Sequence, residues 1–365
     1  MSDHYAPVNR TKRVCLEGDF VFSAIGLDHG HIFGMADALI NAGATLKYVY
    51  DPDPQKLGLF QLRFPQARAA SSYEEVLEDS ETQLIAGACI PSERCALGLR
   101  AMDYGKHYFT DKAPLTTLAQ LDAAKAKVRE TGKKYMVYYS ERLHSESAEF
   151  AAQLIDGGAI GKVVQVMGLG PHRLHAQNRP EWFFQREKYG GILCDIGSHQ
   201  IEQYLFYAGE TDAEVVRSQI ANYNNPDTPE LDDFGDAMLT GANGTSNYFR
   251  VDWLTPAKVR AFGDGKTIIL GTKGFLELRK YTNIGTDQGG DNVFLVNDKV
   301  EKHFQVAGQV GYPFFGDLIL DCLNGTENAM TQAHTFKAAE LCVKAQLQAV
   351  KLKQDPEKTS VCYLQ

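Results

Sequence analysis

The chain has 365 residues, enough for two domains at roughly 100–200 residues each. Its composition, 44% hydrophobic and 23% charged, is that of an ordinary soluble globular protein. The formal net charge of -9 argues against nucleic acid as a main partner, because binding phosphates requires a basic surface.

Neither a targeting segment nor a membrane span is expected. The first 19 residues are polar and lack an apolar core of signal-peptide length. No stretch approaches the roughly 18 apolar residues of a membrane-spanning helix. The sequence therefore predicts a cytoplasmic protein with no membrane partner.

The cysteines indicate a reducing compartment. Their number is odd, their spacings are irregular and no C-x-x-C occurs. This pattern favours buried thiols over disulfides or a cysteine-based zinc site. The seven residues are Cys15, Cys89, Cys95, Cys194, Cys322, Cys342 and Cys362.

Residues 1–140, after a polar extension over 1–18, alternate between strand-like and helix-like segments. Such alternation predicts a doubly wound parallel sheet with helices on both faces. The predicted strands are 20–27, 45–50, 84–90, 106–110 and 134–139. The predicted helices are 32–42, 72–79, 93–104 and 117–130.

Residues 141–365 follow a different pattern, with longer strands joined by hairpin signals at 242–244, 271–274 and 297–299. They predict an α+β domain with a large, mostly antiparallel open sheet covered by a few helices. The predicted strands are 162–169, 213–223, 234–240, 245–254, 267–270, 275–280, 293–296 and 300–304. The predicted helices are 147–156, one ending at Gly209, 313–323 and 331–352.

The stretch F-S-A-I-G-L-D-H-G-H-I-F-G at 22–34 has the layout of a dinucleotide-binding turn between a strand and a helix. Gly26 fills the first position of G-x-G-x-x-G, but Asp28 and His31 stand at the second and third. Asp28 would repel a pyrophosphate unless its carboxylate points away. A plain strand-turn-helix connection is the alternative.

The other residues of this turn still suit a nucleotide. Gly30 keeps the turn flexible, and His29 and His31 could donate hydrogen bonds to phosphate or line the cleft. Asp51 ends the second strand about 25 residues after Gly26, where an acid can accept hydrogen bonds from a ribose 2′-hydroxyl and repel a 2′-phosphate. This favours NAD over NADP.

Three further residues could carry chemistry. Lys112, in G-K-H-Y-F-T-D-K-A-P-L at 105–115, follows a buried strand at the carboxyl edge of the sheet, where ligands bind. Asp195 and His199 are four apart and share one face if the following helix reaches back that far. A carboxylate and an imidazole near a lysine suit proton transfer to or from an alcohol, although a surface lysine and a capping aspartate remain alternatives.

Several motifs together resemble the Gfo/Idh/MocA oxidoreductases, which include glucose-fructose oxidoreductase and inositol dehydrogenase. The resemblance extends from about residue 20 to 207. The matching motifs are I-P-S at 90–92, G-K-H at 105–107, D-K-A-P at 111–114, Arg142 after a strand, G-A-I-G-K-V at 158–163 and G-G-I-L-C-D-I-G-S-H at 190–199.

The resemblance implies an N-terminal NAD(P)-binding Rossmann domain and a C-terminal domain for substrate binding and oligomerisation. It implies that Lys112 binds the reacting hydroxyl, that Asp195 orients substrate and imidazole, and that His199 is the general base, titrating near neutrality. Pro91 and Asp111 join Lys112 and the first turn as cofactor-binding residues.

Two departures from the family stand out. Its E-K-P reads D-K-A-P here, so the proline arrives one residue late and the presentation of Lys112 could change. The glycine fingerprint keeps only its first position, so we expect phosphate contacts that differ from the usual ones.

The substrate pocket is assigned to Arg142, His172, Arg173 and Trp182 together with Asp195 and His199. His172, Arg173, His175 and Trp182 could bind a polyhydroxylated ring, while core packing is the alternative for Trp182. His172 and His175 with Asp195 and His199 could also suggest a metal, but we predict none.

The sequence thus predicts an NAD(P)-dependent dehydrogenase of a sugar, cyclitol or related polyol. The alternatives are an NAD-dependent glycosidase on the same scaffold and a non-enzymatic nucleotide-binding regulator. An open antiparallel sheet needs its exposed face covered, so we expect a homodimer or homotetramer formed through the second domain.

Overall fold

The computed structural model of the protein describes residues 12–286 and 289–353. Residues 1–11 of the polar extension and Cys362 lie outside these ranges. Within them, the six cysteines are free and four are buried. No helix in the described ranges combines the length and the apolar character that crossing a membrane requires.

The first sheet has six parallel strands in the doubly wound order β3-β2-β1-β4-β5-β6. This is the type of sheet that the sequence predicts, although the prediction did not contain β3. The strands are β1 (Val21–Ile25), β2 (Thr45–Tyr50), β3 (Arg68–Ala69), β4 (Leu84–Gly87), β5 (His107–Asp111) and β6 (Tyr135–Tyr138). The helices are α1 (His31–Ala42), α2 (Pro54–Arg63), α3 (Tyr73–Glu78), α4 (Pro91–Asp103) and α5 (Leu118–Thr131).

Helix α2 is absent from the sequence prediction, which places no element between the strand ending at residue 50 and the helix beginning at residue 72. Asp53 caps the helix by accepting a hydrogen bond from the Gln55 backbone at 2.8 Å, and Pro54 occupies its first turn. Only Phe60 of the helix is buried, so the helix lacks the apolar stripe by which a pattern search detects helices.

The second part of the chain forms a nine-stranded sheet in the order β14-β13-β12-β11-β7-β10-β9-β8-β15. Its strands are β7 (Val163–Pro171), β8 (Ala213–Ala221), β9 (Phe234–Gly241), β10 (Ser246–Asp252), β11 (Lys266–Gly271), β12 (Gly274–Arg279), β13 (Asn292–Asn297), β14 (Glu301–Gln305) and β15 (Val350–Lys351). Its helices are α6 (Ser140–Leu143), α7 (Glu146–Asp156), α8 (Arg186–Tyr189), α9 (Ile192–Asp195), α10 (Gly197–Ala208), α11 (Phe314–Asn324) and α12 (Gln332–Leu347).

This sheet is mostly antiparallel, as predicted, and all three predicted hairpins join neighbouring strands. Two pairs are parallel: β10 with β7, and β15 with β8. The helix predicted over 331–352 is too long, since α12 ends at Leu347 and β15 follows it. One face of the sheet is covered by helices, while the other carries half-exposed apolar side chains such as Met167, Tyr248 and Ile268.

Helix α10 packs on β7 at close range because two glycines face it. A Cβ added at Gly168 would lie 2.2 Å from Gln200 Oε1, and one at Gly170 would lie 2.7 Å from Gln200 Nε2. Glycine at both positions therefore lets the helix that carries His199 lie directly on the sheet.

The change of pattern near residue 140 matches the end of the first sheet, since β6 ends at Tyr138 and α6 begins at Ser140. The C-terminal helices nevertheless return to the first sheet. Gln332 of α12 accepts a hydrogen bond from the Tyr135 backbone at 2.7 Å and donates one back at 3.1 Å. The two parts of the chain are thus joined along β6 as well as at residue 140.

Candidate active site

The turn after β1 requires glycine at its first position. Gly26 has a φ of 76°, and a Cβ there would lie 2.7 Å from Cys89 Cβ. Its amide bonds the Tyr50 carbonyl at 3.1 Å, and its carbonyl accepts from the Ala88 amide at 3.0 Å. The turn is therefore tied to both neighbouring strands at the crevice where the strand order reverses.

Asp28, at the second glycine position of the fingerprint, is paired with a lysine. Its Oδ1 lies 2.6 Å from Lys56 Nζ on α2. This pairing neutralises the carboxylate that the sequence places beside a pyrophosphate. The neutralising residue was missed because it belongs to the helix that the sequence prediction did not contain.

The start of α1 is suited to an anion. Gly30 precedes the helix and carries no capping side chain, no acidic residue lies in the first turn, and His29 Nδ1 lies 3.3 Å from the His31 amide nitrogen. A Cβ added at Gly30 would meet nothing within 4 Å. The helix dipole favours a phosphate at such an end, and the open space beside Gly30 leaves room for one, so these residues fit a dinucleotide.

Asp51 is buried at the end of β2, beside the same turn. Its Oδ2 accepts from the Leu27 amide at 2.7 Å and its Oδ1 from the Asp53 amide at 2.9 Å. Each carboxylate oxygen has a second lone pair, so both can still accept a ribose hydroxyl. Pro91 begins α4 after the adjacent strand β4.

His29 and His31 both turn toward Asp111 at the end of β5. His29 Nδ1 lies 3.0 Å from Asp111 Oδ2, and His31 Nδ1 lies 2.8 Å from Oδ1. Arg94 adds a contact at 3.1 Å, and the Lys112 amide donates at 2.7 Å. Burial alone would raise the pKa of Asp111, but these partners hold it well below its usual range.

These contacts bear on the predicted role of Asp111 as a cofactor-binding residue. The sequence predicts a cofactor contact, and in the structure the carboxylate is contacted by His29, His31, Arg94 and the Lys112 amide. Of the residues that the structure describes, His29, His31 and Asp111 form the group spaced closely enough to hold a metal ion. The hydrogen bonds and the Arg94 guanidinium already satisfy this carboxylate.

Lys112 pairs with Asp195 across the two parts of the chain. Lys112 Nζ contacts Asp195 Oδ1, and both residues are buried. Burial alone would raise the pKa of Asp195, but Lys112 outweighs this and lowers it. The sequence prediction that these residues come together is therefore met in the structure.

Arg94 of α4 supports the segment around Lys112. Its guanidinium donates to the Lys112 carbonyl and, at 3.1 Å, to the Ala113 carbonyl. The peptide bond between Lys112 and Ala113 is cis. Sequence reasoning did not single out Arg94, because nothing in its helical neighbourhood shows that it reaches across to β5.

His199 lies in the first turn of α10, and Asp195 ends the separate short helix α9. Within the described chain, buried His199 Nδ1 and Asp195 Oδ2 have no hydrogen-bond partner. Burial lowers the pKa of His199 to about 3. The expectation that this imidazole titrates near neutrality is therefore wrong, because desolvation disfavours its charged form.

Of the remaining predicted substrate residues, His172 lies within range of the charges of Lys112 and Asp195. The two arginines form hydrogen bonds with other residues. Arg142 Nε donates to Glu202 at 2.7 Å. Arg173 holds the loop after β10, donating to the carbonyl of Val259 at 2.6 Å. Trp182 is buried beside Phe183, with ring centroids 5.8 Å apart, which agrees with the core-packing alternative.

The structure adds a buried polar cluster that sequence reasoning missed. Glu141 of α6 accepts from Lys280 Nζ at 3.0 Å and from Gln200 Nε2 at 2.8 Å. Gln203 Oε1 accepts from the same lysine at 2.8 Å. Glu141 and Lys280 stand 139 residues apart, and no local pattern links them.

Two family models match the chain. One, described as the oxidoreductase family with an NAD-binding Rossmann fold, matches residues 25–139. The other, described as the GFO/IDH/MocA C-terminal domain, matches residues 149–277. Among solved structures, a candidate oxidoreductase from Erwinia carotovora atroseptica is 50% identical. Its TM-score is 0.90, and the match covers 92% of this chain and 100% of that one.

Curated relatives match shorter stretches. The scyllo-inositol 2-dehydrogenase (NAD(+)) of Bacillus subtilis is 30% identical over 166 residues, which cover 45% of this chain and 46% of that protein. The D-xylose dehydrogenase of Paenarthrobacter nicotinovorans is 25% identical over 138 residues, which cover 36% of this chain and 35% of that protein. The matched stretches span less than half the length of both relatives.

Proposed function

This chain belongs to the Gfo/Idh/MocA family of oxidoreductases, and we propose that it transfers a hydride between NAD and a hydroxyl of a sugar, cyclitol or related polyol. The observation that carries the proposal is the buried contact between Lys112 and Asp195 at the carboxyl edge of the NAD-binding sheet. The dehydrogenase names of two curated relatives support the same reaction class.

The cofactor is assigned to the crevice between β1 and β4. The start of α1, whose dipole favours an anion, binds the pyrophosphate, and Asp51 accepts hydrogen bonds from a ribose. Asp51 and Asp53 would repel a 2′-phosphate, and Lys56 is already paired with Asp28. We therefore assign NAD rather than NADP.

Bound NAD supplies the hydride acceptor. Lys112 donates a hydrogen bond to the reacting oxygen and stabilises the negative charge that develops there. Asp195 holds the lysine in place and, through Oδ2, orients the substrate. His199 is kept neutral by burial, so a ring nitrogen is free of a proton and can accept the one that the hydroxyl releases.

The test is to incubate the protein with NAD and a panel of sugars and cyclitols and to follow NADH absorbance. Lys112→Met should lower kcat by roughly 10²–10⁴-fold, as expected for a group acting on the reacting proton and charge. The matched control is Lys125→Met, which removes a half-exposed lysine that lies 3.3 Å from Glu340 on the surface. That variant should keep wild-type activity.

Two outcomes would replace the proposal. Cleavage of glycosides without net formation of NADH would favour the glycosidase. NAD binding, measured by calorimetry, with neither oxidation nor cleavage of any panel member would favour the regulator.

We also propose that the open face of the second sheet pairs with another copy of the chain. Neighbouring strands align half-exposed Met167, Tyr248 and Ile268, and exposed Met238, in one cross-strand row on that face. A continuous apolar row on a solvated sheet is unusual in a monomer, and a homodimer or homotetramer would cover it.

A further inference from the structure

A second carboxylate, Glu141, lies beside the candidate site. The residue is only 3% exposed, and one of its oxygens, Oε2, takes hydrogen bonds from Lys280 and Gln200. The other oxygen, Oε1, is buried without a hydrogen-bond partner in the described chain. A buried acceptor left unpaired costs stability. A purely structural role therefore accounts for the hydrogen bonds of Oε2 but not for the unpaired Oε1.

The neighbour of Oε1 is an imidazole that also accepts rather than donates. His172 Nδ1 lies 3.2 Å from the Gly170 carbonyl, so that nitrogen carries the hydrogen. Burial lowers the pKa of His172 to about 4, which keeps the ring neutral at pH 7 and leaves Nε2 with a lone pair. Nε2 stands 3.6 Å from Glu141 Oε1, so two acceptors face each other with no hydrogen between them.

This pair of acceptors lies near enough to the reacting groups for their charges to act on it. The charges of Glu141, Lys112 and Asp195 all act on His172, and those of Glu141 and Lys112 both act on His199. Buried Asp195 Oδ2 likewise has no partner within the described residues. A ligand here must bring hydrogen-bond donors to at least two carboxylates, and hydroxyl groups provide them.

We propose that Glu141 is a substrate-binding residue that accepts a hydrogen bond from a second hydroxyl of the molecule whose first hydroxyl lies on Lys112. This inference rests on the proposed function and narrows its substrate class to neutral polyhydroxylated compounds with two such hydroxyls. A carboxylate in place of the second hydroxyl would meet like charge at Glu141. Lys280 and Gln200 act as positioning residues that hold the carboxylate, and Gln203 in turn holds Lys280.

The experiment compares a substrate that the wild type oxidises with its analogue lacking one non-reacting hydroxyl, for each such hydroxyl in turn. Glu141→Gln should raise KM by roughly 10–100-fold, the usual effect of losing a charge-assisted hydrogen bond. Its kcat should change less than about threefold, because the reacting oxygen stays on Lys112. For one deoxy analogue the variant and the wild type should have equal KM, since the contact is already missing.

Two further variants separate binding from folding. Glu141→Leu combined with Lys280→Met removes the buried ion pair as a unit and leaves no unpaired lysine, so it should fold and show at least the same rise in KM. Glu210→Gln alters another carboxylate that is 3% exposed and is held by Asn243 and Thr245 outside the site. This control should leave KM unchanged.

The inference fails if both Glu141 variants keep wild-type KM. It also fails if the rise in KM caused by these variants is equal for every deoxy analogue, as a bridging water alone would produce. If the wild type oxidises no panel member, the proposed function fails separately. In that case, calorimetric titration of the polyols into the protein saturated with NADH tests whether Glu141 contributes to polyol binding. Binding that Glu141→Gln weakens supports the inference, and binding that it leaves unchanged, or no binding at all, overturns it.

Discussion

Asp28 and Lys56 form an ion pair at 2.6 Å that joins the first turn to α2. Asp28 stands where the usual fingerprint has a glycine, and its side chain is 16% exposed. A lone carboxylate there would oppose a pyrophosphate, whereas the paired carboxylate adds almost no net charge. The turn thus keeps an acidic residue and remains compatible with a dinucleotide.

Removing the lysine alone should therefore weaken NAD binding. Lys56→Met leaves Asp28 uncompensated beside the phosphates, and we expect Kd for NAD to rise roughly tenfold, about 1.4 kcal/mol. Asp28→Asn combined with Lys56→Met should restore binding to near the wild-type value. Calorimetry at low ionic strength measures both, with Lys47→Met, which breaks the ion pair between β2 and Asp79, as the control. Equal affinity in wild type and Lys56→Met would show that the pair has no influence on the cofactor.

Stability should fall as the pH drops from about 6.5. Burial lowers the pKa of His107, His144, His172 and His199 to about 4, 3, 4 and 3, while unfolded histidine titrates near 6.5. Between these values the unfolded chain binds more protons, so the free energy of unfolding falls toward acid by up to about 1.4 kcal/mol per pH unit for each histidine.

Urea unfolding at pH 8, 7, 6 and 5 measures this slope. Carboxylates such as Asp195, whose pKa is lowered on folding, add a loss of stability only below about pH 4. His107→Gln, outside the candidate site, should reduce the slope of the free energy of unfolding against pH by the contribution of one histidine. A free energy of unfolding that stays constant from pH 8 to 5 would contradict the prediction.

Gly168 and Gly58 should respond oppositely to the same substitution. Gly168→Ala places a Cβ 2.2 Å from Gln200 Oε1, and we expect the free energy of unfolding to fall by about 1–3 kcal/mol. Gly58 lies inside α2 with nothing within 4 Å of an added Cβ, so Gly58→Ala should stabilise by about 0.5–1 kcal/mol. Thermal unfolding ranks the three proteins. A Gly168→Ala variant as stable as the wild type would mean that Gln200 can move aside.

A charge on the open sheet face should disrupt the proposed oligomer. Met167 lies between Tyr248 and Ile268 in the cross-strand row, so Met167→Glu would bury a carboxylate in the interface. We expect a monomer by light scattering with little change in melting temperature. Leu62→Glu, on an 81% exposed residue of α2, is the control and should keep the wild-type mass. A monomeric wild type would remove the proposal.

The residues found by sequence reasoning are those whose signal is local. Lys112 was located because it follows a buried strand, and Asp195 and His199 because they are four apart before a helix. The sheets were predicted from alternating patterns and hairpin residues. In contrast, α2 has one buried side chain, so neither the helix nor its Lys56 left a pattern to detect.

The sequence by itself therefore determined the type of both sheets, the position of the first turn and the approach of Lys112 to Asp195, since near-neighbour preferences specify strands, helices and turns. Only the tertiary structure decided which charges meet and how deeply they are buried. The pairing of Asp28 with Lys56, the unpaired oxygen of Glu141 and the low pKa of His199 all depend on segments far apart in sequence. Desolvation and charge pairing act through space, so no local pattern encodes them.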